Sequence, residues 1–430
     1  MNTVVYSTLG PQDPASQPLS PSLKHALDCA GREDWTSAYH ALQVAAASPE
    51  DRLCAHYMLW EVCQILGHPD VALANLHAAL QESPVTSRFS PAPRRRILAL
   101  AVPGDFQANL PINSLLTAAG TEIHTLWLSD PEAVLRDPAG VFAGRLPPFD
   151  CAFVSIAEDD RHVQALRAAD SLVQALNVPV INSGAGISAV SRAGAARLLR
   201  DLPDAIVPSQ TLMDRAELVR RDTRGLTSKI LEFPVIIRPS RSHAGRDLVR
   251  LDSQADLDTY LDRVGENLFY VAPFIDYRSA DGLWRKYRVI FVGGRPMPYH
   301  LAIHSDWAIW YYNARMDLDP WKRLEEARFV RGIEAAIPSR ALNALHAVGE
   351  RVGLDYFGAD CGVTQDGRLV IFEIETGMLV HDWDSSELYP YRAACTQAIR
   401  QATETMIDAA VASHRLLTMP SAPHEIETAS

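Results

Sequence analysis

Three carboxylates toward the C-terminus have the types and spacing that could hold a divalent cation. Glu373 and Glu375 stand two positions apart on a predicted strand at 369–375, so the period-two alternation of a strand places both on one face. Asp360 lies on the preceding predicted strand, and the Gln-Asp-Gly-Arg sequence at 365–368 predicts a tight hairpin that brings the three acids together. Like charges side by side on a sheet are unfavourable unless a cation offsets them, and hard oxygen ligands suit Mg²⁺. The alternative is that Glu373 and Glu375 are only the solvated face of an edge strand.

A cation at the end of an apolar strand is the second feature that could do chemistry. The segment 233–240 is apolar up to Arg238 and is followed by a loop of small and polar residues. A cation beside a loop whose backbone N–H groups can approach oxygen anions is what a triphosphate needs, although such loops after strands are common. The loop residues of interest are Ser240, Ser242, His243 and Gly245.

The composition excludes several classes of protein. Of the 430 residues, 47% are hydrophobic and 21% are charged, which is typical of a folded chain of about three domains. The net charge of -12 argues against nucleic acid or an anionic membrane as the main partner. The cysteines form no C-x-x-C pair, which indicates free thiols rather than a zinc site or a disulfide framework. Because the sequence has neither a signal peptide nor an apolar run of about 20 residues, we expect a cytoplasmic protein.

Helical periodicity fills the N-terminal part of the chain. Residues 21–86 carry apolar side chains at helical spacing, and their pattern resembles the tetratricopeptide repeat. One clear repeat and one degenerate repeat are too few for a solenoid, so a small helical cap and a peptide-docking module both remain open. The segment 83–95 is predicted to be a linker, and the terminal segments 1–20 and 415–430 are predicted to be disordered.

Two further regions differ in how strands and helices alternate. In 95–187, short apolar runs and a helix at 160–176 predict an open parallel sheet, with strands at 97–102, 123–128, 151–156 and 178–182. In 188–414, a helix at 188–202 precedes six strands with few helices between them, which predicts an antiparallel-rich α+β region. Its predicted strands are 233–238, 268–274, 287–292, 297–303, 358–364 and 369–374, and its later helices are 255–264, 338–352 and 391–413.

The order of these pieces resembles the ATP-grasp superfamily over residues 96–410. That superfamily has a strand ending in Lys-Pro, a small loop, a hinge strand, an Asp-x-Arg-Val strand, and a final Asp followed by a Glu-x-Asn pair. The matching positions here are Arg238-Pro239, Arg288-Val289, Asp360 and the Glu373-Glu375 pair. The likeness is greatest to the branch of ribosomal-protein glutamate ligase and glutathione synthetase. The segment 372–381 further resembles a sub-branch that carries helical repeats ahead of the grasp domain.

The resemblance implies a multidomain α/β and α+β fold. The N-terminal helical segment 21–86 would precede a parallel pre-ATP-grasp domain at 95–187. The ATP-grasp domain would occupy 188–414 and consist of two α+β subdomains that hold ATP between them.

The resemblance also implies ATP and Mg²⁺ as cofactors. Asp360, Glu373 and Glu375 would hold the metal, Arg238 would reach the α and β phosphates, and the loop 240–245 would close over the nucleotide. Neutralising charge by positioned groups is what phosphoryl transfer needs.

Other contacts to the nucleotide follow from the same resemblance. Tyr270 and Val271 would offer backbone groups to adenine, and Arg288 would contact the γ-phosphate and the developing acyl phosphate. Arg192, with Arg197 as the second candidate, would make a first basic contact from the helix at 188–202. A solvated arginine on a helix face is the alternative for Arg192.

Three positions depart from the superfamily pattern. Arg238 replaces the usual Lys, which keeps the charge and adds a bidentate fork. Glu375 replaces the usual Asn, and the usual acid before Arg288 is absent, with Lys286 and Tyr287 in its place. The last two changes leave a loss of activity open.

Residues rich in aromatic rings and donors at 300–316 would line the acceptor pocket, with packed core as the equal alternative. The candidate substrate contacts are His300, His304, Asn313, Arg315 and His381. We expect a ligase that uses Mg-ATP to join a small-molecule or peptide carboxylate to an amine through an acyl phosphate, releasing ADP. The alternatives are a non-catalytic peptide-binding module with a decayed grasp domain, or a kinase-like enzyme that stops at a phosphorylated product. The identity of both substrates and the formation of a homodimer remain open.

Overall fold

The computed structural model of the chain describes residues 20–117, 119–220, 231–240, 245–310, 313–381 and 383–418. The chain divides into two compact units. The first comprises Met1–Ser155, Gln164–Ser183 and Gln401–Ser430, and the second comprises Ile156–Val163 and Gly184–Arg400. None of the helices in the described ranges has the length and apolarity that a bilayer crossing requires.

Residues 20–82 of the first unit form four helices, as the sequence predicts. They are α1 (Pro21–Gly31), α2 (Trp35–Ala45), α3 (Arg52–Ile65) and α4 (Pro69–Glu82). Side chains cap two of the starts, because Ser20 accepts a hydrogen bond from Leu23 N and Asp34 accepts one from Ser37 N. Prolines occupy the first turns of α1 and α4, where a missing N–H has no cost. The tetratricopeptide likeness of this segment stays a prediction.

One mixed sheet follows in the first unit. Its strands are β1 (Val85–Arg88), β2 (Arg95–Ala101), β3 (Thr121–Trp127), β4 (Cys151–Val154) and β5 (Val180–Ile181), in the order β1-β3-β2-β4-β5. Parallel pairing of β3, β2, β4 and β5 confirms the predicted parallel sheet. The strand β2 is almost wholly buried, which explains its continuous apolar sequence. The helices of this region are α5 (Pro131–Arg136) and α6 (Val163–Leu176).

The predicted linker at 83–95 is wrong in part, because it contains β1. This edge strand pairs antiparallel with β3, and Arg88 lies opposite Ile123. Its sequence, Val-Thr-Ser-Arg, has neither an apolar run nor a full alternation, so pairing with β3 decides its conformation. A 3-10 turn forms at Ile112–Ser114, in the loop after β2.

The second unit begins with α7 (Gly184–Ala189), α8 (Arg192–Leu199) and β6 (Ala205–Ile206). The sequence predicts a single helix at 188–202, and the structure breaks it before Arg192. The break has a local cause, because Ser191 adopts extended backbone angles and its side chain accepts a hydrogen bond from Gly194 N at the start of α8.

An antiparallel sheet forms the first α+β part of the second unit. It has the order β7-β10-β8-β9, and its strands are β7 (Thr211–Asp214), β8 (Val235–Pro239), β9 (Val249–Leu251) and β10 (Leu268–Pro273). Two helices accompany it, α9 (Arg215–Val219) and α10 (Gln254–Arg263). Phe269 of β10 and Tyr260 of α10 meet in the buried core of this part.

A second sheet forms the other α+β part and carries the acidic strand. Its order is β12-β11-β13-β14-β6, with β11 (Trp284–Val292), β12 (Arg295–His304), β13 (Tyr356–Val363) and β14 (Leu369–Glu375). Only the short pairing of β14 with β6 is parallel in this sheet. The helices are α11 (Pro320–Arg331), α12 (Ser339–Val352) and α13 (Arg392–Thr418). The multidomain α/β and α+β fold class is therefore confirmed.

The C-terminal half of α13 belongs to the first unit, where Arg95 of β2 holds it. The Arg95 guanidinium donates to Asp408 at 2.6 and 2.9 Å and lies 3.1 Å from Glu404. Thr117 donates to the same Glu404 through its backbone N and its hydroxyl. The helix continues to Thr418, into the segment predicted as a tail, and residues 1–19 and 419–430 lie outside the described ranges.

We predict that Arg95→Met lowers the free energy of unfolding by about 2 kcal/mol, because it removes charge-assisted bonds from a buried site. Urea unfolding at neutral pH measures the change. Burial raises the pKa of Glu404, but Thr117 and Arg95 outweigh burial and hold that pKa below its ordinary value. The contribution is thus present at neutral pH and is lost as the pH falls through the lowered pKa.

Arg136→Met is the matched control, since it breaks an exposed pair with Glu132 on α5. We expect it to change stability by less than about 0.5 kcal/mol. Equal effects of the two substitutions on the free energy of unfolding would show that Arg95 does not stabilise the position of α13.

Candidate functional site

A buried carboxylate that forms ion pairs with two cations lies at the centre of the second sheet. Arg288 on β11 stands opposite Asp360 on β13 and donates to both of its oxygens, at 2.8 and 3.0 Å. Lys286, two residues before Arg288 and hence on the same face, lies 2.9 Å from Asp360 Oδ2. The Asp360 side chain is only 2% exposed. Burial raises the pKa of Asp360, but Arg288 and Lys286 outweigh it and keep the pKa well below the ordinary value, so the carboxylate stays ionised.

The acidic strand β14 lies beside this cluster. Glu373 pairs across the sheet with Asp360, and Glu375 pairs with Gly358. Phe372 packs against Tyr277, with ring centroids 4.8 Å apart. This alternation agrees with the predicted common face for the two glutamates.

Glu375 has a perturbed carboxyl group. Its Oε1 accepts a hydrogen bond from Gly377 N at 2.8 Å. Burial, followed by the neighbouring Glu373 charge, raises the pKa of Glu375 to about 7. A carboxylate pair of this kind favours an added cation, because a positive charge would relieve both effects.

The metal assignment of Asp360, Glu373 and Glu375 stays a prediction. Within the described ranges, no group of three or more His, Cys, Asp or Glu side chains is arranged so that it could hold a metal ion. The reason at Asp360 is physical, since Arg288 and Lys286 already engage both of its oxygens.

Glu158 is an acid near the site that the sequence analysis missed. Its backbone N donates to Thr376 Oγ1 at 3.0 Å, directly after the end of β14. Burial raises the pKa of Glu158 to about 7, with further contributions from Asp160 and Asp159, while Arg192 acts in the opposite direction. The sequence did contain a signal for Glu158. It begins an acidic run, 158–160, directly after the predicted parallel strand 151–156, and open α/β sheets bind ligands at such strand ends.

Two arginines flank one tyrosine ring in the antiparallel sheet. Arg238 of β8 lies opposite Tyr270 of β10, and the Arg238 and Arg192 guanidinium carbons each lie 5.7 Å from the centre of the Tyr270 ring. Burial, followed by the charge of Arg192, lowers the pKa of Arg238 to about 10. The Nε of Arg238 is buried and has no hydrogen-bond partner in the part of the chain described. The structure thus brings Arg192, Arg238 and Tyr270 together, and an oxyanion such as phosphate fits beside the two arginines. Their predicted contacts with the nucleotide stay predictions.

The backbone of Tyr270 and Val271 is engaged inside the sheet. The strand β10 lies between β7 and β8, and both residues have cross-strand partners on each side. The predicted contact of their backbone groups with adenine stays a prediction.

The predicted phosphate loop is described only at its ends. Ser240 N donates to Leu268 O at 2.9 Å, and Gly245 has a φ of +72° and lies beside the Trp310 ring. Ser242 and His243 lie outside the described residues.

His300 belongs to a buried polar cluster rather than to an open surface. It bonds through Nδ1 to Glu326, whose side chain is 0% exposed. Arg392 donates to Glu326 at 2.7 Å, and Tyr391 donates to its other oxygen at 2.7 Å. Burial lowers the pKa of His300, and Arg392 adds to the effect. The cluster joins β12, α11 and the start of α13, and the substrate role of His300 stays a prediction.

The other predicted substrate residues differ in how far their polar atoms are already used. Asn313 accepts from Trp310 N and donates to Ala308 O, so it closes a local turn. His304 accepts from Asp306 N, and Arg315 is exposed near Asp317.

His381, another predicted substrate residue, has a buried ring nitrogen that makes no hydrogen bond with the described residues. Its ring stacks on Trp383 at 4.3 Å, and its Nδ1 is buried without a partner among the described residues. Burial lowers the pKa of His381 to about 4, which keeps the ring neutral near pH 7. A neutral imidazole with a spare nitrogen can bond a polar ligand group, so the substrate role of His381 stays a prediction.

We predict that Glu326→Gln lowers the free energy of unfolding by about 3 kcal/mol, because Arg392 loses a carboxylate partner inside the fold. Thermal and urea unfolding measure the loss. The control is Glu350→Gln at an exposed position of α12, which should be nearly neutral. A neutral Glu326→Gln would show that the cluster adds no stability.

The chain was compared with protein families, curated proteins and solved structures. No family model and no curated protein matches it. It is similar to the D-alanine-D-alanine ligase from Coxiella burnetii, with 14% identity and a TM-score of 0.45 over 75% of this chain and 97% of that one. It is similar to the VanG D-Ala:D-Ser ligase from Enterococcus faecalis, with 12% identity and a TM-score of 0.44 over 74% and 99%. For a RimK domain ATP-grasp protein from Sphaerobacter thermophilus, the identity is 16% and the TM-score 0.39 over 74% and 99%. At these values the similarity carries no argument about the chemistry of this chain.

Proposed function

We propose that the chain is an ATP-grasp type ligase that uses Mg-ATP to join a carboxylate to an amine. The observation that carries the proposal is the arginine pair at Tyr270, in which Arg238 has a buried donor without a partner in the described residues. Two such cations side by side are unfavourable unless an anion binds to them, and a nucleotide phosphate supplies one. The sequence resemblance to ATP-grasp proteins over 96–410 supports the same chemistry.

Each charged group has a role in this proposal. Arg192 and Arg238 bind phosphates of the nucleotide, and Arg288 stabilises the phosphoryl group while it is transferred. Asp360 fixes the guanidinium plane of Arg288 through two hydrogen bonds, so the cation needs no rearrangement when charge develops. Asp360 is thus a positioning residue for Arg288.

The reaction proceeds in two displacements. A carboxylate oxygen of the substrate attacks the γ-phosphorus, the bond to ADP breaks, and an acyl phosphate forms. The amine nitrogen then attacks the acyl carbon, phosphate leaves, and the nitrogen loses a proton to give the amide. The reacting groups need positioning more than covalent help from the protein, which agrees with burial raising the pKa of the Cys361 thiol well above its ordinary value.

Glu373 and Glu375, with Asp360, are the residues that would hold Mg²⁺. When bound, Mg²⁺ would neutralise charge on the transferring phosphoryl group. The assignment rests most on the two glutamates, because the oxygens of Asp360 already accept from Arg288 and Lys286.

A phosphate-release assay with ATP, MgCl₂ and pairs of amino acids or dipeptides tests the proposal directly. We expect release only when a carboxylate and an amine are both present, and a product mass equal to their sum less one water. A phosphorylated product that persists without an amine would indicate a kinase. Absence of both ATP binding and turnover would indicate a non-catalytic binding module.

We predict that Glu373→Gln lowers kcat by about 100-fold or more, since the side-chain shape is kept and only the charge of a metal ligand is lost. Turnover at increasing Mg²⁺ and the thermal midpoint are both measured. Glu350→Gln is the control for an exposed glutamate and should keep full activity. Wild-type kcat in the Glu373 variant at saturating Mg²⁺ would remove the glutamate from the mechanism.

We predict that Arg288→Ala lowers kcat by about 100-fold and changes the KM for ATP by less than about threefold. The physical reason is that its contact strengthens where charge develops, not in the bound ground state. Arg295→Ala, at an exposed arginine of β12, is the control. A rise in the ATP KM with an unchanged kcat would contradict the assigned role.

A further inference from the structure

A second arginine with buried donor atoms that have no partner among the described residues lies entirely within the first unit, beside an apolar cavity. The cavity has a volume of about 440 Å³ and is lined by α3, β1, β2, β3 and the loop after β2. This volume lies within the range of small-molecule sites, about 300–1,000 Å³. Three exposed residues, Glu50, Ser87 and Asp105, also line it, so the cavity reaches solvent.

The sheet register explains why there is space at this place. Ala99 of β2 pairs with Thr125 of β3, and Ala101 pairs with Trp127, so all four side chains share one face. The two alanines form a floor of small side chains that larger residues would have filled. Arg88 of β1, opposite Ile123, is brought onto the same face by the antiparallel pairing of this edge strand.

Aromatic rings of α3 and β3 form the wall of the cavity. Trp60 lies edge-on to Trp127 at 5.5 Å and to Phe106 at 5.7 Å, and Tyr57 lies 5.9 Å from Trp127. The indole N–H groups are used by the protein, because Trp60 donates to Gly104 O and Trp127 donates to Thr86 Oγ1. The rings therefore offer the cavity apolar surface in fixed orientations.

Arg88 is the exception in this lining. Its Nε and Nη2 are both buried and have no hydrogen-bond partner in the part of the chain that is described. Burial lowers the pKa of Arg88, and it is the sole cause that acts on that pKa. No carboxylate among the described residues lies at hydrogen-bond distance from these two atoms.

The two unused atoms define the shape of the missing partner. Nε and Nη2 form one edge of the guanidinium plane, and two parallel donors at that spacing match the two oxygens of a carboxylate.

We propose that the cavity binds a small organic carboxylate with an aromatic or branched aliphatic body. The carboxylate pairs with the free edge of Arg88, and the body lies on Ala99 and Ala101 against the rings of Trp60 and Trp127. This site is separate from the proposed ATP-dependent reaction and does not depend on it.

The test uses the full-length chain and four probes: 3-phenylpropanoate, 4-methylpentanoate and the amide of each. Isothermal titration calorimetry and the fluorescence of the lining tryptophans measure binding without ATP. We expect saturable binding of at least one carboxylate with a stoichiometry of one, and at least about tenfold weaker binding of its amide, which cannot form the charged pair.

Arg88→Gln should weaken carboxylate binding by at least about tenfold, whereas Arg94→Gln, at an exposed arginine outside the cavity, should leave it within about twofold. Arg88→Gln should not lower the thermal midpoint of the free protein, because it removes an uncompensated buried charge.

Ala101→Leu provides a second variant, since the added atoms occupy the cavity floor. We expect it to abolish binding while Arg88 is retained. Equal affinity of the wild type and Arg88→Gln, equal affinity for acid and amide, or no saturable binding of any probe would overturn the proposal.

Discussion

The cross-strand pair between Arg288 and Asp360 sets the register on which the second sheet and its polar face depend. An Asp360 carboxylate in this interior is tolerable because its two oxygens meet a guanidinium in the bidentate geometry that repays desolvation best. A one-residue slip of β13 against β11 would turn Asp360 to the other face, away from Arg288 and Lys286, and would separate the paired charges. The ion pair therefore favours the observed register in addition to the apolar core.

Register explains how much of the site could be predicted from the sequence. Glu373 and Glu375 share a face because alternation is a local property of a strand, and the Asp-Gly turn at 366–367 fixes how β14 folds back on β13. The joint position of Arg192 and Tyr270 was different, because they lie far apart in sequence and no local pattern connects them. The resemblance to a known superfamily proposed a separate nucleotide contact for each of them, and the structure reveals that they lie together.

The residues that the sequence did not predict are those whose roles depend on distant partners. Glu326 occurs in an unremarkable helical stretch, and its importance comes from total burial among His300, Arg392 and Tyr391. β1 likewise has a weak strand sequence and owes its conformation to β3. Lys286 stands where the superfamily pattern has an acid, and only the structure reveals that it shares Asp360 with Arg288. Burial and long-range pairing are properties of the folded chain, so they cannot be predicted from a local sequence pattern.

The desolvated arginines of this chain differ in whether they donate to carboxylates of the protein. Arg95, Arg288 and Arg392 each donate to carboxylates of the protein at hydrogen-bond distance. Arg88 and Arg238 are also desolvated, yet neither donates to a carboxylate among the described residues, and Nε of each is buried without a hydrogen-bond partner there. A carboxylate of the protein bonded to Arg88 or Arg238 would offset the free-energy cost of desolvating that arginine, as it does at the other three. It would also occupy the donors that an anionic ligand needs. The absence of a hydrogen-bonded carboxylate at these buried nitrogens, among the described residues, is therefore the common physical ground for a phosphate site at Arg238 and a carboxylate site at Arg88.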